Sequence, residues 1–212
     1  ELGASNSIPG LAGEAEDPGA DAGALDTRPG PFPPVSKPVI GAINGVAVTG
    51  GFELALNCDL LIASDRARFA DTHCRIGVQP GWGLTILLAE AVGVRRARQL
   101  SITGNFLDAE TARDWGLVNE VVPPEELLPR CRALAADIVS NDQAGVRRIL
   151  RTYAENERLT GADAWRNETR VSDAWFAELA TRPGEVEARR QAVMERGRQQ
   201  TGPGGRADQR EG

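Results

Sequence analysis

The residues of this chain best placed to do chemistry are two glycines and a carboxylate at close spacing, Gly50-Gly51-Phe52-Glu53. Before them, Val39, Ile40, Ile43, Val46 and Val48 form a β-branched run with almost no charge, the pattern of a strand covered on both faces. Asn44-Gly45 tolerates positive φ and offers a bend within it. Gly50 and Gly51 fall where a helix should start, so their N–H groups have no partner within the helix and point outward with the positive end of its dipole. Such a turn can hold a developing oxyanion. Glu53, one turn inside the helix, lies close enough to exchange a proton there. A plainer reading uses the glycines only to let strand and helix pack closely, and Glu53 only to cap its own helix.

His73 is the only histidine of the chain. An imidazole, with an ordinary pKa of about 6.5, gives and takes protons near neutrality. Asp71 stands two residues earlier; on a strand, i and i+2 share a face, so Asp71 could orient His73 or replace it as the acid. Cys74 would then point to the opposite face, and a Cys–His nucleophilic pair is not expected. Pro80-Gly81-Trp82-Gly83 forces a loop, in which Trp82 either lines a pocket or plugs the core beneath the glycines.

The sequence from Lys37 onward resembles the enoyl-CoA hydratase/isomerase (crotonase) family. The matching residues are Lys37-Pro38-Val39-Ile40, Asn44-Gly45, Gly50-Gly51-Phe52-Glu53-Leu54-Ala55, Cys58-Asp59 and Ala67-Arg68-Phe69-Ala70. They continue through Gly77 to Gly83, Thr103-Gly104 and Ala109 to Pro123, in the family's order and spacing. The resemblance implies an acyl-CoA thioester as substrate, with Gly50 supplying one oxyanion N–H and Glu53 as the first catalytic carboxylate. The family places its second carboxylate 20 positions further on, where this chain has His73. His73 is therefore expected as the group that manages the proton at the substrate α-carbon, with Gly51, Asp71, Pro80, Gly81 and Trp82 around the substrate. Hydration of a 2-trans-enoyl-CoA to a 3-hydroxyacyl-CoA is the implied reaction. A double-bond shift or thioester hydrolysis on the same site is the alternative, and a truncated, non-catalytic binding or assembly paralogue is an alternative of another class. The family's other oxyanion donor belongs to a segment that would precede Glu1, so half an oxyanion hole and an α/β fold lacking its N-terminal strands are expected.

Within that fold, a crotonase spiral of ββα units with an α-helical C-terminal trimerisation region, the elements must carry these residues. Residues 1–36, rich in Gly, Pro, Ala and Asp, read as a flexible loop or linker. Residues 37–123 hold the motifs: strands at Leu60–Ala63 and Ala67–Ala70, helices at Leu84–Val92, Arg95–Ser101 and Ala109–Trp115, and a strand at Leu117–Val122. Asp108 is the expected N-cap and Gly116 the expected C-cap of the third helix. Residues 124–201 read as helical, with stripes from Leu127 to Val193 that include Trp165 and Trp175, and Pro183-Gly184 divides the last two helices. Residues 202–212 read as a disordered tail. The family implies a homotrimer or a dimer of trimers.

Thirty acidic residues against 24 basic ones disfavour a nucleic-acid surface. Arg95, Arg96 and Arg98 read as a solvated face, or as a contact for a phosphate of a neighbouring chain. Three cysteines without CxxC spacing give no zinc site or disulfide framework and suit a reducing cytoplasm. No apolar run approaches the roughly 20 residues that span a bilayer. The chain opens at Glu1 rather than Met, as expected of a fragment or processed product. No metal or organic cofactor is expected, since CoA would arrive with the substrate.

Overall fold

The chain twice makes the same move: two short strands separated by a bend, then a helix. The first set is β1 (Ile40–Ile43), β2 (Val46–Val48) and α1 (Gly50–Leu56); the second is β3 (Leu60–Ser64), β4 (Arg68–Ala70) and α2 (His73–Ile76). The structure, a computed structural model, describes residues 30–33, 35–157, 159–181, 184 and 194. Most of the 1–36 linker, Pro183, Val193 and the 202–212 tail lie outside the described residues.

Each pair of strands gives one strand to each of two sheets. One sheet has the order β1-β3-β6, with β6 at Glu120–Val122, and is parallel throughout. The other has the order β2-β4-β5, parallel between β2 and β4 and antiparallel to the two-residue β5 (Leu107–Asp108). This is the spiral of ββα units expected from the sequence.

The bends between the strands are stitched together by side chains. Ser64 Oγ donates to the Asn44 carbonyl at 3.1 Å, and Arg66 Nη2 donates to Asn44 Oδ1 at 3.0 Å. Gly45 bends the chain without positive φ, which among the described non-glycine residues occurs only at Thr49. Val46 of β2 is 66% exposed, so the run expected to be covered on both faces is covered on one; its inner side and α1 close over Phe52 and Phe69, both fully buried, with ring centroids 5.6 Å apart. A tilted aromatic pair contributes about 0.5–1.5 kcal/mol beyond its area.

Two helices, α3 (Leu84–Val92) and α4 (Val94–Thr103), join at Gly93, whose φ of 82° turns the chain between them. Leu84, Leu88, Ala97 and Leu100 face the same core. Arg96 lies over the ring of Trp115 at 5.1 Å, so this arginine is partly occupied by a cation–π contact. The expected strand at Leu117–Val122 is shorter than its apolar pattern: Leu117 and Val118 are core residues ahead of β6, and Asn119 turns the chain by pairing with Leu61 through its N–H and its Oδ1.

α6 (Leu127–Val139) packs on β1 and β3, with Leu127 and Cys131 buried beside Ile62 and Val122. Contacts divide the chain between Arg151 and Thr152, inside α7 (Gln143–Asn156), so α6 belongs to the first unit. The second unit holds the end of α7 and α8 (Ala162–Ala180). There Asn167 Nδ2 donates to Glu155 Oε2 and Asn156 Oδ1 at 3.2 and 2.8 Å. Among the described residues, no helix is long and apolar enough to cross a membrane.

α5 (Ala109–Asp114) begins at Asp108, whose carboxylate accepts the Thr111 N–H at 2.8 Å and the Thr111 hydroxyl at 2.9 Å. The Thr111 amide, then its hydroxyl, hold the Asp108 carboxyl below the usual carboxylate range. Gly116, with φ 85°, follows the helix as expected. Asp108→Ala is expected to lower stability by about 1 kcal/mol in urea denaturation, and Asp108→Asn by far less. Because the folded state lowers this pKa, the cap contributes fully above the ordinary carboxylate pKa of about 4 and is lost as pH falls through the folded value. The gap between Asp108→Asn and wild type should therefore change in favour of the Asn variant below about pH 4. Equal stability of the Ala variant and wild type at neutral pH would refute the cap.

Candidate active site

Glu53 sits in the first turn of α1 at 3% exposure. A carboxylate so deeply buried needs donors, because desolvation of the charge costs several kcal/mol if unanswered. The Trp82 main-chain N–H donates to Glu53 Oε1 at 2.6 Å. The second oxygen, Oε2, faces His73 Nε2 at 3.6 Å. That gap is too long for a direct hydrogen bond. It is short enough for both atoms to hold one water or one substrate group beside them.

His73 is 7% exposed and opens α2, so the expected strand through Asp71 and His73 does not form. The strand ends at Ala70, and the chain turns into a helix of four residues. Asp71 and His73 nevertheless meet: Asp71 Oδ1 accepts the His73 main-chain N–H at 3.2 Å and lies 2.7 Å from the ring Nδ1. An Asx-type turn, not the two-residue repeat of a strand, brings them together. Cys74, next to His73, is exposed.

α2 is too short to hold itself. Arg75 fastens it, donating to Asn105 Oδ1 at 3.2 Å and reaching the Thr103 carbonyl at 3.5 Å. The arginine lies over Gly104, where an added Cβ would come within 2.5 Å of its Nε. Gly104 also has φ 63°, so two independent demands meet at the glycine of Thr103-Gly104.

The turn before α1 is made by Thr49, with φ 46° and ψ −121°. Its carbonyl takes the N–H groups of both Phe52 and Glu53 at 2.9 Å, and its own N–H reaches the Ala70 carbonyl at 3.3 Å. The N–H groups of Gly50 and Gly51 precede the first bonded turn and have no acceptor within the helix. A Cβ on Gly50 would lie 3.4 Å from Trp82 Cζ3, so the indole ring stands against this glycine. Trp82 is half-buried, Pro80 likewise, and Gly51 and Gly81 are exposed.

One residue of the site has no signature in the sequence. Asn57, just past the end of α1, donates through Nδ2 to the Trp82 carbonyl at 2.9 Å and to the Glu53 carbonyl at 2.8 Å. Glu53 and Asn57 are four apart in sequence, and together they hold the N–H and the carbonyl of Trp82, on either side of its Cα. Only the spacing i, i+4 within the helix could have pointed to it. Among the described residues, no group of three or more His, Cys, Asp or Glu side chains is arranged to hold a metal ion.

The family model for enoyl-CoA hydratase/isomerase matches residues 33–198. The chain belongs to this family. It is 39% identical over 167 residues to the Arabidopsis thaliana protein named Probable enoyl-CoA hydratase 1, peroxisomal, covering 79% of this chain and 61% of that one. The crystal structure of an enoyl-CoA hydratase from Mycobacterium avium superposes with a TM-score of 0.59 at 50% identity, over 69% of this chain and 66% of the other. A crystal structure from Thermobifida fusca in complex with CoA gives a TM-score of 0.63 at 34% identity, over 67% and 55%. The fold is thus that of the crotonases, and the chain spans about half to two-thirds of the length of the relatives it matches.

Within this crotonase site, Asn57→Ala should remove two hydrogen bonds at once and cost about 1–2 kcal/mol in urea denaturation. Asn57→Asp should cost more, since it sets a carboxylate against two carbonyl oxygens. Stabilities equal to wild type in both variants would show that Asn57 does not hold the Trp82 loop.

Proposed function

We propose that the intact protein adds water to a 2-trans-enoyl-CoA, giving a 3-hydroxyacyl-CoA, with Glu53 and His73 as the two proton-transfer groups. The observation that carries this reading is the facing pair itself: a buried carboxylate oxygen and an imidazole nitrogen 3.6 Å apart, each held from behind. The names of the relatives, and the CoA bound in the Thermobifida fusca structure, support the choice of an acyl-CoA thioester.

In the proposed reaction Glu53 takes a proton from water as the oxygen bonds to the β-carbon. The electron pair of the double bond moves towards the thioester, whose oxygen becomes an enolate held by the Gly50 N–H. A single donor of this kind is typically worth about 10²–10³-fold in rate. Protonated His73 then gives its Nε2 proton to the α-carbon. Transfer of the proton from Glu53 to His73 across the gap restores the starting state, so the cycle balances with CoA as part of the substrate and no further cofactor. Trp82 walls the site beside Gly50, with Gly51, Pro80 and Gly81 around the thioester. Assembly as a trimer or a dimer of trimers belongs to the same proposal. Its support here is the set of large apolar side chains left uncovered in the single chain on α7 and α8, Tyr153, Trp165 and Phe176 among them.

The test mixes the intact protein with a short 2-trans-enoyl-CoA and follows the ultraviolet absorbance of the conjugated thioester. A fall without release of free thiol is expected. Glu53→Gln and His73→Gln should each slow it by about 10²–10⁴-fold, since each removes one proton-transfer group. Bound thioester with unchanged absorbance would sink the hydration reading. Release of free CoA would instead mark thioester hydrolysis, and a shifted double bond surviving in His73→Gln would mark an isomerase working through Glu53 alone.

A further inference from the structure

We infer that Asp71 is a positioning residue: it never touches substrate but fixes which nitrogen of His73 faces Glu53, making the second acid of the site an Asp–His dyad. The chemical role rests on the hydratase reading above; the geometric lock does not.

Asp71 is 2% exposed and lies behind the imidazole as seen from Glu53: it contacts Nδ1, whereas Glu53 faces Nε2. Both of its hydrogen bonds go to His73, one to the ring and one to the main chain. Oδ1 acts as acceptor towards the His73 N–H, and the same oxygen at 2.7 Å from Nδ1 therefore receives the ring's Nδ1–H. That places the lone pair or the transferable proton on Nε2, the nitrogen facing Glu53 Oε2. Without this contact the ring could turn over by 180° about its last torsion, exchanging the two edges at little cost in volume.

The two anchors of His73 are independent. Arg75 pins the main chain of α2 to Thr103 and Asn105, and Asp71 pins the ring. A role for Asp71 in starting α2 would need only its bond to the His73 N–H. The ring bond adds nothing to that task. An imidazolium at this position would lie between two carboxylates, Asp71 at 2.7 Å and Glu53 at 3.6 Å, so it could give up its Nε2 proton while its Nδ1 proton stays bound.

The experiment uses the intact protein labelled with ¹⁵N-histidine, the His73 signals being identified by their loss in His73→Gln. In the wild type, the neutral ring should carry its proton on Nδ1. Asp71→Asn retains an oxygen for the main-chain N–H, so α2 should still start, but without the carboxylate charge its amide holds the ring's Nδ1–H far more weakly, and its NH2 can turn to donate to Nδ1 instead. It should shift the neutral ring towards the Nε2–H form and lower kcat by about 10²-fold, with KM within about twofold of wild type. A wild-type ring protonated on Nε2 with a bare Nδ1 overturns the proposal without any variant. So does Asp71→Asn with kcat within about twofold of wild type, or with a raised KM alone, which would mean contact with substrate. A wild type that hydrates nothing but shows the Nδ1–H lock, lost in Asp71→Asn, supports the lock and sinks only the hydratase reading.

Discussion

A carboxylate taken almost wholly out of water dictates what its neighbours must be, and Glu53 does this for the whole site. One of its oxygens is met by the Trp82 N–H, which fixes the path of the loop between α2 and α3. The loop can present that N–H only if the peptide unit is turned the right way, and Asn57 holds the carbonyl at the other side of Trp82. Gly83, with φ 91°, then releases the chain into α3, whose Leu84 and Leu88 are fully buried. Core packing, a left-handed glycine and one side-chain amide thus combine to bring a single main-chain donor to a charged oxygen. The second oxygen is left without a close partner, and it is the one that faces His73.

The turn at Thr49 carries the other constraint. A β-branched residue at φ 46° is strained by about 1–3 kcal/mol, and it persists only where the surroundings over-determine it. Here the Thr49 carbonyl is bonded twice into α1 and its N–H is bonded to Ala70 on β4. The strain lets the chain pass from strand to helix within one residue. As a result Gly50 comes immediately after the sheet, where an added Cβ would be in van der Waals contact with the Trp82 ring at 3.4 Å.

What the sequence made legible follows from how local each feature is. Gly50, Gly51 and Glu53 lie in one turn, so their pattern alone placed them at a helix start, whereas the positive φ of Thr49 just before it carries no sequence signature. The pairing of Asp71 with His73 was legible by spacing, yet the strand invoked for it is absent; an Asx-type turn produced the same neighbours by a different geometry. Asn57 and Trp82 were not legible as partners, because 25 residues separate them and only the closed fold brings a side-chain amide to a main-chain carbonyl. β5 was missed since two residues carry no periodicity, and β6 was read too long because Leu117 and Val118 are apolar for packing, not for strand pairing. Trp165, read as part of an apolar stripe, is 74% exposed in the single chain. Hydrophobic periodicity reports that a face will be covered, and it is silent on whether the cover comes from the same chain.

In the proposed reaction, a histidine in place of a second carboxylate alters the electrostatics of the pair more than its reach. Two facing carboxylates repel when both are ionised, so such a pair tends to hold one shared proton. A carboxylate facing an imidazolium is an attractive pair with both partners charged, and one of them is already an acid while the other is already a base. The proposed addition of water consumes that pair, leaving a neutral carboxyl opposite a neutral ring, and the return of one proton across 3.6 Å regenerates it. Such a return is productive only if the ring presents the same nitrogen at the end of the cycle as at its start. In the proposed cycle, the orientation of a single imidazole therefore decides whether that proton returns to the nitrogen facing Glu53.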